Sequence, residues 1–402
     1  MYKGQQFGKI IIIGMAIAYI QIGGVTMSIF QNIRIIDFTE KLAGPLAIMY
    51  LEKYGAEVIK VENPEKPDPS RNWEPVVDGT SLYFDYLNGG KKSLAADVST
   101  EDGKNLVMKL IETADVVCVD KTDSQLKKLG IDYESVKAVK EDIIYAAVTP
   151  YGLKGLDTER PASSITVQAG GVAMDMTGMK GEEPICIGPS VMEHYAAGYL
   201  AAGIILALIG KKTAGEGQLV DISLQDSIFS CIEAAPSAYS TIGEIQSRKG
   251  NDDPSCAPYD SFETADGYFA LGVATQRQWD KFCDALGYED LKNDPRFNND
   301  AGRLDDYMNC LRPILAERLL KLSRYDIEKA CRDMRVPGCA VRNVAEVTDM
   351  PNTKENNFTE CVNGITYPAM PFTLSDFAAK KLEAGPALGS DNETLKQEGG
   401  RP

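Results

Sequence analysis

The chain has 402 residues, 44% of them hydrophobic and 25% charged, which is globular composition with enough length for a large core and two domains. A formal net charge of −16 argues against duplex nucleic acid or an anionic membrane as the main partner, although local lysines can still hold an anionic cofactor. The one histidine, His194, excludes a multi-histidine metal site, and nine cysteines without a C-x-x-C pair read as reduced, mostly buried thiols of a cytoplasmic protein.

Residues 10–25 form an apolar run behind Lys3 and Lys9. The run is too short and glycine-dotted for a membrane span, and no A-x-A cleavage pattern follows it. Consecutive glycine codons at Gly23-Gly24 can spell a ribosome-binding site upstream of Met27. The native chain is therefore expected to start at Met27, with residues 1–26 a non-native or disordered extension. From Arg34 to Phe38 a short β-branched run predicts a strand, followed by the small-residue turn Ala43-Gly44-Pro45. Leu46, Met49, Tyr50 and Tyr54 then recur at roughly helical spacing, Gly55 stops the helix, and Val58 to Val61 begins a second strand. This is one βαβ unit. Leu42, Ala43 and Gly44 lie at the carboxyl end of its first strand, where open parallel sheets place their ligands.

A polar, proline-rich loop spans residues 63–79. Strands are expected at Ser93 to Asp97, Asp115 to Asp120 and Ile143 to Thr149, with a helix capped by Thr100 and running to about Thr113. Strands alternating with helices predict an α/β fold with a parallel sheet. No G-x-G-x-x-G is present, so a nicotinamide cofactor has no fingerprint here. A long apolar helix covers Ala196 to Ile209, and Leu219 to Leu224 alternates like a strand. Composition shifts in the loop at 247–261; beyond it a strand at Tyr268 to Val273 and charged amphipathic helices over 276–335 follow. The expected organisation is a large domain from 27 to 250, a smaller α+β domain at 255–345, and a return to the large domain over 346–402.

Four segments carry a family resemblance. They are the opening unit with its A-G-P turn and Val58-Ile59-Lys60-Val61-Glu62; Asn88-x-x-Lys91-Lys92-Ser93 with Asp97; Gly215-x-Gly217-Gln218-x-Val220-Asp221-Ile222-Ser223; and Gly385-Pro386-Ala387-Leu388-Gly389-Ser390. In this order, over about Ile33 to Leu395, they resemble the class III CoA-transferases, the CaiB/BaiF family. The resemblance implies a Rossmann-like large domain with a smaller α+β domain, two chains interlocked as a dimer, and no metal. It implies transfer of CoA from an acyl-CoA donor to a carboxylic acid acceptor through an enzyme carboxylate. Counting back from Leu200-Ala201-Ala202-Gly203 places Glu193 where the family usually carries the aspartate nucleophile. Without the resemblance, Glu193 is a first-turn helix acid that favours the helix dipole by about 0.3–1 kcal/mol. His194, Leu42, Ala43 and Gly44 are the further pocket candidates. Coenzyme A is expected at Lys128, Lys91, Lys92 and Arg71, with Leu94, Ala96 and Asp97 flanking the nucleotide.

The chain departs from the family at Leu42, where some members place a glutamine, and at Asn63, where some place a CoA-binding arginine. The glycine-rich loop of some transferases has a short counterpart near Lys249-Gly250-Asn251. Two alternatives stay open: a non-catalytic CoA-binding subunit of a heteromer, and an α-methylacyl-CoA racemase-like enzyme. Ser163 stands where the racemases place their histidine, which argues against the second.

Overall fold

The structure, a computed structural model, describes residues 28–305 and 307–399. The expected extension and the native start at Met27 lie outside them. The chain opens with strand β1 (Arg34–Asp37), helix α1 (Ala43–Lys53) and strand β2 (Glu57–Glu62). A two-residue ladder, β3 (Val76–Val77) with β4 (Thr80–Ser81), leads into α2 (Leu82–Asn88) and β5 (Lys92–Ala95). Next come α3 (Glu101–Ile111), β6 (Val116–Val119), α4 (Asp123–Leu129), α5 (Tyr133–Val139) and β7 (Ile144–Thr149). The short helices α6 (Ser164–Gly170) and α7 (Ala173–Met176) precede α8 (Val191–Ala214), β8 (Gln218–Ser223) and α9 (Leu224–Phe229).

Six strands form one parallel sheet in the order β5-β2-β1-β6-β7-β8. The chain leaves β1 first toward β2 and β5, then returns to its other side at β6. The crevice between the carboxyl ends of β1 and β6 is therefore a topological switch point, where such sheets bind ligands.

Both faces of the sheet are covered, which explains why β6 and β7 read as unbroken apolar runs rather than alternating ones. On one face Ile35, Val58, Val116, Ile144 and Ala146 pack against α1 and α8; on the other Ile36, Ile59, Val117, Tyr145 and Ala147 pack against α3, α4 and α5. Helix α8 is apolar and long enough to cross a bilayer, but its face of Ala196, Ala197, Leu200 and Ile204 is buried against the sheet. It is longer than the 196–209 read from hydropathy, because Glu193 and His194 interrupt the apolar run at one end and Lys211 and Lys212 at the other. The Gly215-x-Gly217 motif is structural: Gly215 ends α8 at φ 78°, and a Cβ on Gly217 would collide with the Ile143 carbonyl oxygen.

A second core, built on Trp279, Phe262, Phe269, Leu311 and Leu315, packs around a three-stranded sheet of β9 (Tyr259–Thr264), β10 (Gly267–Gly272) and β11 (Gly338–Ala340). The chain continues through a hairpin, β12 (Thr359–Val362) with β13 (Ile365–Pro368), and then covers the open edge of the large sheet. Ser93 and Ala95 on β5 donate their amides to Asp391 Oδ2 and Asn392 Oδ1, both at 2.9 Å, and the last helix (Asn392–Gly399) sends Leu395 into the core beside α3. An edge strand is thereby paired rather than left as a template for aggregation. All nine cysteines are free. Four are buried, three half-buried, and Cys339 and Cys361 exposed, so fewer are interior than composition implied.

Candidate active site

The loop after β1 is held from below by charges with no contact to solvent. The Lys91 ammonium lies 2.9 Å from Asp37 Oδ2 and donates to Asn88 Oδ1 at 3.0 Å; Lys60 lies 2.8 Å from Asp68 Oδ2 and donates to the Thr39 carbonyl at 2.8 Å. Thr39 caps the arrangement, its hydroxyl on Asp37 Oδ1 at 2.5 Å. Burial pushes the Asp37 and Asp68 carboxyls up, but Lys91 and Lys60 outweigh it and hold both below the usual carboxylate range. Burial pulls Lys60 down, and its acidic neighbours more than restore it. Lys91, which also feels Lys60, stays below an ordinary lysine despite Asp37 beside it.

Above this cluster the loop turns sharply. Lys41 sits at φ 67°, a left-handed conformation that costs a non-glycine residue about 1 kcal/mol or more, and its amide is held by Asp68 Oδ1 at 3.1 Å. Helix α1 starts at Ala43 without a side-chain cap, and Gly44 lies so close to Thr39 that a Cβ would collide with it. The A-G-P segment is therefore the first turn of the helix rather than a separate turn.

A cleft of about 780 Å³ opens at the switch point. The loop from Glu40 to Gly44 forms its floor, and Asp120, Pro150 and Leu224, each at the carboxyl end of a strand, add to it. Trp73 and Tyr83 meet edge to face at 5.7 Å and form an apolar wall, with Ser163, Ser164 and Val167 along another side. Glu193 enters from the first turn of α8, whose Ser190 makes no side-chain cap. One oxygen of Glu193, Oε2, is shielded from solvent and accepts no hydrogen bond among the described residues. A long helix starting there offers free amides and positive dipole to an oxyanion. Asp120 accepts the Glu40 amide at 2.6 Å, and Lys121 bridges Glu40 (2.8 Å) and Asp120 (3.9 Å). Burial, helped by Glu40 and opposed by Lys121, pushes Asp120 up to about 7.

The cleft has the parts of an acyl-transfer site: a carboxylate, helix amides beside it and an apolar wall. A profile of the family described as CoA-transferase family III matches residues 30–392. The chain belongs to CoA-transferase family III. It is 31% identical over 371 residues to a succinate–glutarate CoA-transferase of Agrobacterium fabrum, covering 89% of this chain and 92% of that one. It is 30% identical over 388 residues to a succinyl-CoA:mesaconate CoA-transferase of Haloarcula hispanica, covering 93% and 97%. A solved structure of a CaiB/BaiF family protein from Brucella suis superposes with a TM-score of 0.86 at 31% identity, covering 92% and 99%. This family III protein is thus a CoA-transferase, an enzyme that uses CoA thioesters, with the α/β fold expected from its strand pattern.

The structure brings Leu42, Ala43, Gly44 and Glu193 into one cleft and leaves other expected residues outside it. His194 does not line the cleft: it is exposed, and its Nδ1 donates to the Ser190 carbonyl at 2.7 Å. Lys91 is not available to a phosphate, being buried and committed to Asp37. Lys92 pairs with Glu57 at 2.5 Å, and Glu57 with Arg34, at the amino end of β1 and β2, opposite the cleft. Arg71 spends its guanidinium on Glu62 (2.6 Å), the Pro386 carbonyl (3.0 Å) and the face of Phe84. Leu94 and Ala96 are core residues. Asp97 folds back on Ser99, which donates its amide and hydroxyl. Lys128, in the last turn of α4, is exposed and has no ion pair among the described residues. The loop at Gly250 bonds to Gly178 and does not line the cleft. Sequence reasoning missed Lys41, Asp120, Trp73 and Tyr83; the signal available for the first two was their place at or shortly after the carboxyl ends of predicted strands. Among the described residues no group of three or more His, Cys, Asp or Glu is arranged to hold a metal ion.

Proposed function

We propose that this protein moves CoA between dicarboxylic acids, with Glu193 as the covalent carrier. The observation that carries the reading is the Glu193 carboxylate at the uncapped start of α8, in the switch-point cleft, with one desolvated and unpaired oxygen. The succinate, glutarate and mesaconate in the relatives' names, all dicarboxylic, support the substrate class.

A Glu193 oxygen attacks the donor thioester carbonyl, the C–S bond breaks, and CoA leaves as thiolate with a mixed anhydride behind it. The thiolate attacks the glutamyl carbonyl of that anhydride and releases the donor acid as carboxylate. The acceptor carboxylate attacks the glutamyl thioester, forming a second anhydride and freeing the thiolate again. Attack of the thiolate on the acceptor carbonyl gives the new acyl-CoA and returns Glu193 as carboxylate. No net proton is taken up or released, and each oxyanion forms beside the amides of the helix start.

Lys128 is the remaining candidate for the phosphates of CoA. A homodimer, in which the chains interlock, is supported by the outer face of α8: Tyr195, Tyr199, Leu206 and Ile209 are exposed apolar residues on a helix whose other face is core. The separate core around Trp279 supports a smaller domain at about 255–345. The free thiols suit a cytoplasmic location.

The test incubates the full chain with succinyl-CoA and then hydroxylamine, followed by peptide mass spectrometry. A hydroxamate on Glu193, absent in Glu193→Gln, is the expected result. CoA transfer that persists in Glu193→Gln within tenfold of the wild type overturns the carrier role.

A further inference from the structure

We propose that Lys41 selects dicarboxylic substrates, its ammonium pairing with the carboxylate that does not undergo transfer; this rests on the function proposed above. Other cations around the cleft are already neutralised. Lys121 is held by Glu40 and Asp120, Arg71 by Glu62, and Lys60 and Lys91 are buried with Asp68 and Asp37. Lys41 is the one cation among the described residues lining the cleft, and it has no ion pair among them.

Its position is specified by more than chance exposure. The φ of 67° places a lysine where glycine would be easier, and Asp68, itself locked to Lys60, holds the Lys41 amide in that conformation at 3.1 Å. Strain that the surroundings over-determine clusters where a side chain must be aimed. The loop it sits on also supplies the floor beneath Glu193.

The charge balance of the reaction gives the ammonium its task. When the acceptor arrives, Glu193 is a thioester and carries no charge, and the reacting carboxylate is consumed as the anhydride forms. The second carboxylate of a dicarboxylic acid stays ionised and faces a lining whose remaining carboxyl side chains are Glu74, Glu40 and Asp120, the last two sharing Lys121, so none of them offers it a positive charge. Lys41 provides the opposite charge there. A monocarboxylic acid of the same length has no group to use it, so the residue separates the two classes by charge rather than by size.

The experiment is a competition. Glutarate and butyrate are mixed at equal concentration with succinyl-CoA and the full-length protein, and the ratio of glutaryl-CoA to butyryl-CoA, equal to the ratio of the two kcat/KM values, is read by mass spectrometry. Lys41→Met, which keeps the backbone amide on Asp68, should lower that ratio at least tenfold, and Lys41→Arg should hold it within about threefold of the wild type. Raising the salt should lower the ratio in the wild type and not in Lys41→Met, because an accessible ion pair is screened. A ratio unchanged in Lys41→Met, including the case where both products fall together, overturns the proposal. Wild-type protein that forms neither product overturns the transfer reading instead. Lys41 is then judged by calorimetric titration with the free acids: a preference for glutarate that Lys41→Met abolishes supports it, and equal affinity for both acids overturns it.

Discussion

Lys91 and Asp37 are 54 positions apart in the chain and 2.9 Å apart in the fold, with neither charge touching water. This pair turns the N-x-x-K segment from a surface phosphate ligand into the anchor of β1 and of the loop that floors the cleft. Asn88 accepts from the same ammonium, so the asparagine and lysine of that segment serve one interior site.

Removing one partner should be costly because it strands the other in the interior. Lys91→Met and Asp37→Asn are each expected to destabilise the protein by about 3–5 kcal/mol, and the double variant by less than the sum. Urea unfolding of the four proteins checks this. Since the folded Asp37 titrates below its unfolded value, its share of stability is present at neutral pH and is lost as the pH falls through the acidic range below the usual carboxylate value. Asp37→Asn should flatten the acid limb of the stability curve.

Asp120 behaves in the opposite sense. Its folded value of about 7 lies above the unfolded one of 3.8, so between these values the folded state binds more protons and stability falls as the pH rises. The fall should amount to roughly 4 kcal/mol at most from pH 4 to pH 7, and Asp120→Asn should remove it. Unfolding at pH 5 and pH 8 measures both; equal pH dependence in the two proteins would contradict the assignment. Glu40 and Lys121 face the same carboxyl, so the variant is compared with Glu40→Gln as a control.

The outer face of α8 predicts assembly. Leu206 and Ile209 are 69% and 58% exposed in the single chain, on a helix that the sheet buries from the other side. Wild-type protein should run as a dimer in light scattering coupled to size exclusion. Leu206→Glu with Ile209→Glu should yield monomer or prevent folding of the interlocked pair, and a wild-type monomer would remove the dimer from the reading.

The C-terminal return is testable through Leu395, which is fully buried beside α3 although it lies near the end of the described chain. Leu395→Ala should cost about 2–5 kcal/mol, as for an interior leucine elsewhere. A loss below 0.5 kcal/mol, measured by denaturant unfolding, would mean that this helix is not part of the cooperative core.

Much of the fold was legible because it is local or periodic. Val116–Val119 and Ile144–Thr149 are buried on both faces, so every position but the closing Thr149 is hydrophobic and they stand out in any window. Thr100 caps its helix through the Gly103 amide, a contact three residues long. The Glu193 position was legible only through its spacing to the apolar helix and the family's pattern, since a first-turn acid by itself reads as a dipole partner.

The sequence by itself determined the α/β class, the parallel strands, the long helix and the family, because periodicity, caps and motif order are written along the chain. The tertiary structure alone decided which charges are free. Lys91, Lys92 and Arg71 read like Lys128 and Lys41 in sequence, but the first three are tied to Asp37, Glu57 and Glu62, while Lys41 and Lys128 have no ion pair among the described residues. The reason is physical: a lysine's own residue type sets its charge, but whether that charge reaches solvent depends on carboxylates brought to it by strands from elsewhere in the chain.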